Sequence, residues 1–288
     1  MLNKLGCLRL SNNVVHWFKS YLTKRLNYVQ IEDKLSTSSV VTCGVPQGSI
    51  LGPLLFLIYV NDMSQAVNCE LLLYADDSCL IFSDMDIKKV ETTLNLNFSS
   101  LCDWFVDNKL SIHLGKTESI LFGTRRRLNK HGTLNITYNN KLIKQKSHVK
   151  YLGCILDNVL SGNNMANHVL SKINGKLRFL YRKQNFFNKT TRRLICNALI
   201  QPHFDYACSS WYPLLTQGLK NKIQISQNKC IRYCLKLNNR DHIGITEFKE
   251  INWLPVKRRV EQSISGTIFK LFKEEVPVYL KHVFQINK

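Results

Sequence analysis

Residues 71–82 read Leu-Leu-Leu-Tyr-Ala-Asp-Asp-Ser-Cys-Leu-Ile-Phe. This stretch combines two apolar runs with a pair of adjacent carboxylates. Apolar runs at Leu71–Tyr74 and Ser78–Phe82 predict two buried strands, joined by a tight turn that carries Asp76 and Asp77. Adjacent carboxylates repel each other, so a closely approached pair needs a cation. Mg²⁺ suits such oxygen ligands and is held by few carboxylates together with substrate phosphates. Because Asp is also a common turn residue, the alternative is a pair that only faces water.

The segment before this turn combines a loop with a helix. Gly44-Val45-Pro46-Gln47-Gly48-Ser49 is a loop by composition, and the apolar run Leu51–Tyr59 predicts a helix. Pro53 fits the first turn of that helix, where its missing N–H costs little. The loop is therefore held next to a rigid element.

Further upstream, a helix and a hairpin are predicted. Apolar residues from Val14 to Leu22 recur with helical spacing, and Ser11 or Asn12 is placed to cap the helix. The extended runs Tyr28–Ile31 and Val40–Cys43 flank a polar stretch, which predicts a hairpin.

Downstream of the turn the pattern alternates between helical and extended. Apolar residues from Val90 to Phe105 form a helical stripe, and Asn139-Asn140 tolerates the positive φ of a hairpin turn. The predicted extended segments are Leu110–Leu114, Ser119–Phe122, Leu134–Tyr138, Lys141–Ile143 and Val149–Leu156. Beyond Asp157 helical spacing dominates, so we place a domain boundary near residue 160.

Charge is distributed unevenly between the two parts of the chain. The chain carries 40 Lys and Arg against 20 Asp and Glu. Residues 1–122 hold 10 basic and 12 acidic residues, whereas residues 123–288 hold 30 and 8. A basic region of this size favours a polyanion such as nucleic acid. A solubilising surface is the alternative.

Several classes of protein and site are disfavoured. The longest apolar run, Ile50–Val60, has 11 residues, too short to cross a bilayer, and no secretory signal is visible. Ten cysteines without regular spacing indicate free thiols in a reducing, intracellular compartment. Gly115-Lys116-Thr117 lacks the upstream glycine of a P-loop, and Cys230, Cys234 and His242 lack a fourth zinc ligand.

Segments along residues 14–157 resemble the sequence boxes of one enzyme family, in its order. Tyr74-Ala75-Asp76-Asp77 resembles the catalytic box of reverse transcriptases. The run from Gly44 to Phe56 resembles the preceding box in the non-LTR (LINE-type) retrotransposon branch. The remaining matches are Trp17–Leu22 with the helix after the first catalytic strand, Leu110-Ser111-Ile112-His113 and Lys116-Thr117 with the following box, and Tyr151-Leu152-Gly153 with the primer-grip turn.

This resemblance implies a fold and an activity. The implied fold class is α+β: an incomplete polymerase palm over residues 1–160, with an antiparallel sheet and helices on one face, followed by a basic, mainly helical thumb-like region over residues 161–288. The implied activity is that of an RNA-directed DNA polymerase, which adds deoxynucleotides to a primer 3′-OH by two-metal phosphoryl transfer. The implied partners are an RNA template, a DNA primer and deoxynucleoside triphosphates, without a membrane. The implied cofactor is Mg²⁺ or Mn²⁺, and by family the compartment is the nucleus.

The resemblance also implies residue roles. Asp76 and Asp77 would be catalytic metal ligands, and Lys116 would neutralise or protonate the pyrophosphate. Residues that would contact the nucleotide and template are Pro46, Gln47, Gly48, Tyr74 and Ala75. The primer backbone would be held by Tyr151, Leu152 and Gly153.

One departure from the family pattern affects the expected activity. The family uses a further aspartate on a strand upstream of the Trp17 helix, yet residues 1–61 contain only Glu32 and Asp33, both at the predicted hairpin turn. We therefore expect an N-terminally truncated palm and thumb portion with impaired catalysis. The alternatives are a catalytically dead module that binds RNA or RNA–DNA duplex, and a translated relic.

Overall fold

The structure is a computed structural model that describes residues 1–273 and 275–277. Its helices are α1 (Leu2–Cys7), α2 (Asn12–Leu22), α3 (Leu51–Val60), α4 (Ile87–Asp107), α5 (Arg125–His131), α6 (Asn163–Arg182), α7 (Lys189–Leu199), α8 (Gln201–Asp205), α9 (Cys208–Trp211), α10 (Gln217–Leu235), α11 (Ile245–Glu250) and α12 (Val256–Phe272). Its strands are β1 (Arg25–Asn27), β2 (Gln30–Ile31), β3 (Lys34–Leu35), β4 (Ser39–Val41), β5 (Glu70–Tyr74), β6 (Asp77–Ile81), β7 (Glu118–Ser119), β8 (Thr137–Tyr138), β9 (Lys141–Leu142), β10 (Lys144–Gln145), β11 (His148–Tyr151) and β12 (Cys154–Asp157). Short 3₁₀ helices span Asn61–Ala66 and Gln184–Phe186.

The chain forms two compact units. The first unit consists of Met1–Thr117 and Leu134–Lys144, and the second of Glu118–Thr133 and the residues from Gln145 onward. The predicted α+β class is confirmed at the level of mixed helices and strands. Position 160 lies inside the second unit, and the division into palm and thumb at that position stays a prediction.

Strands of the first unit pair as separate antiparallel hairpins. Arg25 of β1 pairs with Val41 of β4, and Ile31 of β2 pairs with Lys34 of β3, so the predicted hairpin forms with its tip at Glu32 and Asp33. Among the described residues every sheet contains two strands. An antiparallel palm sheet with helices on one face therefore stays a prediction, since the described strands form only separate pairs.

The hairpin of β5 and β6 carries the predicted catalytic turn. Glu70 pairs with Ile81 and Tyr74 with Asp77. The prediction that both strands are buried is wrong, since Leu72 and Leu73 are 39% and 38% exposed. The reason is that only part of the hairpin packs on the core and neither strand has a second neighbour within the described sheet.

The core below this hairpin comes from four buried residues, Val60, Met63, Val67 and Leu101. Lys4 joins the surrounding elements. Its Nζ donates to the Tyr59 carbonyl at 2.7 Å, pairs with Asp62 at 2.7 Å and lies 4.9 Å from the Trp104 ring centroid. The amino group thus links α1, α3 and α4.

Helix α4 and the hairpin of β8 and β9 form as the sequence predicts, whereas the segment after α4 does not. The helix begins after Asp86, whose side chain accepts a hydrogen bond from the Lys88 N–H. Asn139 and Asn140 both adopt positive φ between β8 and β9, as predicted. The predicted strand Leu110–Leu114 is wrong, because that segment has no regular structure before a turn at residues 114–116.

The second unit is a helical assembly next to one hairpin. The predicted single strand Val149–Leu156 is wrong: β11 and β12 form a hairpin that turns at Leu152 and Gly153. The core includes Ile173 of α6, Ile200, Tyr233 of α10 and Val256 of α12. Cys230 and Cys234 are fully buried in this core.

Candidate functional site

The turn between β5 and β6 consists of two residues, Ala75 and Asp76. Tyr74 and Asp77 close it as a pair across the hairpin, and Ala75 has φ of 52°. A non-glycine residue in this region carries about 1–3 kcal/mol of strain, which the flanking ladder must offset. The strained turn holds the carboxylates of Asp76 and Asp77 at the tip of a paired element.

These two carboxylates are exposed and available. No hydrogen bond or ion pair within residues 1–273 and 275–277 engages the side chain of Asp76 or Asp77. Within the same residues, no set of three or more His, Cys, Asp or Glu side chains is gathered as ligands for a metal ion. Two carboxylates fit the share that Mg²⁺ takes from protein when waters and phosphates supply the rest. They do not by themselves complete a two-metal site.

The loop Gly44–Ser49 is fixed by its own hydroxyl group. Ser49 Oγ donates to the Pro46 carbonyl at 2.8 Å and accepts from the Gly52 N–H at 3.0 Å, which closes the loop onto the start of α3. Gly48 adopts φ of 79°, and no atom lies within 4 Å of where its Cβ would be. Glycine is required there for backbone conformation, and its open surroundings leave room for a ligand to approach. The side chain of Gln47 is exposed beside it.

Arg25 is a loop anchor that sequence reasoning missed. Its guanidinium donates to the Gly44 carbonyl at 2.6 Å and to the Leu22 carbonyl at 3.4 Å. It thereby ties the loop to the end of α2. Only a long-range contact identifies this role, since Arg25 lies 19 residues before Gly44 and carries no motif.

Lys116 lies in a turn after α4. The backbone N–H groups of Lys116 and Thr117 donate to the His113 carbonyl at 2.9 and 3.2 Å, and the Lys116 side chain is exposed. Among the described residues, no hydrogen bond or ion pair joins Asp76 or Asp77 to Gln47 or Lys116. Their joint action on one nucleotide remains a prediction.

The predicted primer-grip turn belongs to the second unit. Leu152 and Gly153 have φ of 45° and 81° between β11 and β12. The Tyr206 hydroxyl donates to the Leu152 carbonyl, and the position of a Cβ on Gly153 would lie 3.2 Å from the Tyr206 ring. Sequence reasoning missed Tyr206, which follows α8 and shares no local pattern with the turn.

The model of the family described as reverse transcriptase (RNA-dependent DNA polymerase) matches residues 2–156, more than half of the chain. The chain belongs to the reverse transcriptase family. The matched region contains the Ala75–Asp76 turn, the Gly44–Ser49 loop and Lys116, which confirms the resemblance drawn from the sequence boxes.

The chain is similar to polymerases of mobile elements. It is 26% identical over 223 residues to a probable RNA-directed DNA polymerase from transposon X-element of Drosophila melanogaster, covering 74% of this chain and 24% of that protein. It is 27% identical to the RNA-directed DNA polymerase from mobile element jockey of Drosophila funebris, covering 77% and 25%. It is 24% identical to a Retrovirus-related Pol polyprotein from type-1 retrotransposable element R1 2 of Nasonia vitripennis, covering 74% and 54%. The likeness to the non-LTR branch is thereby confirmed.

The chain spans about a quarter of the length of the first of these relatives. No solved structure matches this chain significantly. In the part of the chain that the structure describes, no helix combines the length and apolarity needed for a membrane span.

Proposed function

We propose that this chain is the catalytic-turn portion of a retrotransposon RNA-directed DNA polymerase, which extends a DNA primer on an RNA template. The observation that carries the proposal is the pair Asp76–Asp77, exposed and unengaged at a strained hairpin tip inside the family-matched region. A carboxylate with hydrogen-bond or ion-pair partners in the protein would lose them on binding a ligand. The side chains of Asp76 and Asp77 have no such partner among the described residues.

Asp76 and Asp77 would hold Mg²⁺ or Mn²⁺ together with nucleotide phosphates. A bound metal ion of this kind neutralises phosphate charge and activates a primer hydroxyl. Gly48 lets the loop backbone approach the nucleotide, and Gln47, beside it, contacts the nucleotide or template. Pro46, Tyr74 and Ala75 complete this contact surface. Lys116 places a positive charge at the departing pyrophosphate.

In the second unit, the turn Tyr151–Gly153 contacts the primer backbone, with Tyr206 bracing the Leu152 carbonyl. In the palm and thumb division that we propose, residues 1–160 form the palm and residues 161–288 the thumb. The nucleus is the compartment that we propose from the family.

Catalysis by this chain alone is weak under this proposal. A two-metal site needs a further carboxylate, and the described residues gather no third one at the turn. Loss of one group that stabilises transition-state charge costs about 10²–10³ in kcat, so extension should fall by orders of magnitude relative to an intact site.

Metal and nucleotide binding test the site separately from turnover. In Mn²⁺ electron paramagnetic resonance titrations with a deoxynucleoside triphosphate, wild-type protein should reduce the free Mn²⁺ signal, and Asp76→Asn or Asp77→Asn should lose that effect. Asp103→Asn is the matched control, because Asp103 is exposed on α4 and makes no hydrogen bond or ion pair with the described residues. Equal Mn²⁺ binding by Asp76→Asn and wild type would refute the proposed metal site.

The second candidate function is a binding module without catalysis. It is favoured by the charge split, with 30 basic and 8 acidic residues over residues 123–288. Primer extension on an RNA template separates the two functions. Extension that Asp76→Asn abolishes supports the polymerase, whereas duplex binding without extension, with equal duplex affinity in Asp76→Asn and wild type, supports the binding module.

A further inference from the structure

Helix α6 carries three basic side chains along one edge. His168, Lys172 and Lys176 follow at intervals of four residues, which places them in a row on one side of the helix. The row borders the buried stripe that includes Val169 and Ile173. Lys172 is exposed, and His168 and Lys176 are half-buried. We call these three residues, with His203 of α8, the cationic row.

His203 extends the row from a second helix. Lys176 Nζ lies 2.7 Å from His203 Nε2 and also donates to the Leu199 carbonyl at 2.7 Å. A lysine ammonium has only donors, so His203 Nε2 accepts and the ring is neutral. Burial lowers the pKa of His203, and the positive charges of Lys176, His168 and Lys172 lower it further.

No carboxylate compensates this charge within the described residues. Between residues 158 and 240 the chain contains 14 Lys and Arg but a single acidic residue, Asp205. Asp205 is engaged by the guanidinium of Arg259, through Nε at 2.7 Å and through a second nitrogen. Among the described residues no ion pair reaches Lys172 or Lys176. The positive charges of Lys172 and Lys176 therefore have no ion-pair partner among the described residues of this surface.

We propose that the cationic row binds successive phosphates of one nucleic-acid strand. Lys172 and Lys176 contact the phosphates directly, while His168 and His203 adjoin them. The row rises about 12 Å along the helix axis, the axial length of about three to four nucleotides of one strand. Which nucleic acid occupies it rests on the proposed function, which supplies an RNA–DNA duplex. The inference adds the residues that hold the backbone, and these lie outside the family-matched region.

Fluorescence anisotropy with a labelled RNA–DNA duplex and the full chain tests this row. One phosphate contact contributes about 0.9 to the slope of log K against log salt, which is about eightfold in affinity at 0.1 M salt. Lys172→Gln should therefore weaken binding about eightfold at that salt and reduce the slope by about 0.9. Lys249→Gln on α11 is the matched control, because it removes the same charge from another exposed helix position, and it should bind like wild type.

The outcomes separate this inference from the proposed function. Wild-type binding that Lys172→Gln leaves unchanged overturns the row alone. Equal losses in Lys172→Gln and Lys249→Gln also overturn it, because binding would then follow net charge and not position. A wild-type chain that binds no RNA–DNA duplex overturns both the row and the nucleic-acid partner of the proposed function. Circular dichroism of each variant shows whether the fold is retained.

Discussion

Replacement of Asp157 by alanine should destabilise the second unit by about 3 kcal/mol. Asp157 is 6% exposed and accepts three hydrogen bonds, from Ser161 N–H at 2.9 Å, Ser161 Oγ at 3.1 Å and Gly162 N–H at 3.1 Å. Ser161 Oγ in turn accepts from the Asn163 N–H at 3.2 Å, at the start of α6. One carboxylate thus organises the connection between the β11–β12 hairpin and the helix that carries the cationic row.

The magnitude follows from the donors that the substitution leaves behind. Asp157→Ala removes the acceptor of two backbone N–H groups, and Gly162 is buried. Each buried donor left unsatisfied costs about 1–3 kcal/mol, so a total near 3 kcal/mol is conservative. For a unit of this size that loss lowers the melting temperature by about 6–12 °C.

Thermal unfolding followed by circular dichroism at the helix band, with urea titration at fixed temperature, measures this loss. Asp241→Ala is the control in the same unit, since the Asp241 carboxylate accepts one hydrogen bond, from the exposed Asn238 N–H at 2.6 Å. Water replaces that partner, so the control should lose no more than about 1 kcal/mol. If Asp157→Ala lost no more stability than Asp241→Ala, the reasoning from buried unsatisfied donors would be refuted.

Three further predictions concern the second unit. Gly175→Ala on α6 should raise its unfolding free energy by about 0.5–1 kcal/mol, because no atom lies within 4 Å of the added Cβ; an unchanged urea midpoint would contradict this. Tyr206→Phe should cost about 1 kcal/mol through loss of the hydrogen bond to the Leu152 carbonyl, and should increase amide exchange of the Leu152 turn, whereas an unaltered exchange rate would argue against bracing. The pKa of His203 is lowered in the folded chain, so the folded state binds fewer protons at this residue than the unfolded state. The contribution of His203 to the unfolding free energy is therefore present above its ordinary pKa near 6.5 and is lost as the pH falls below that value. His203→Gln, compared with wild type in urea titrations between about pH 5 and pH 8, should lose less stability at the acidic end, and parallel curves would contradict the assignment.

The sequence predicted an element correctly where its structure depends on residues within the same short segment. The stripe from Val14 to Leu22 predicted α2, and Asn139-Asn140 predicted a turn in which both residues have positive φ. The turn at Asp76 was also predicted, because two apolar runs and a polar pair are a complete hairpin signal.

The wrong or missing predictions concern features that depend on contacts with residues distant in sequence or on backbone conformation. Whether Leu72 and Leu73 are buried depends on which elements flank the hairpin, and an apolar run does not contain that information. The run Val149–Leu156 contains a turn at which Leu152 adopts positive φ. A leucine side chain does not indicate that backbone conformation, so the apolar run was interpreted as one strand. Arg25 and Tyr206 support their loops through contacts 19 and 54 residues away, beyond the reach of local patterns.

Two carboxylate sites in this chain show how environment separates structural from functional acids. Asp157 is buried with all its hydrogen-bond partners supplied by the loop that follows it, so binding a cation would require breaking that loop. Asp76 and Asp77 are exposed at a hairpin tip whose backbone is strained at Ala75, and the described residues give their carboxylates no partner. Folding gains nothing evident from two like charges in adjacent positions, whereas a cation that arrives with phosphates would relieve their repulsion. Burial and hydrogen-bond partners therefore assign Asp157 a structural role, whereas exposure and the lack of partners among the described residues leave Asp76 and Asp77 free to bind a cation.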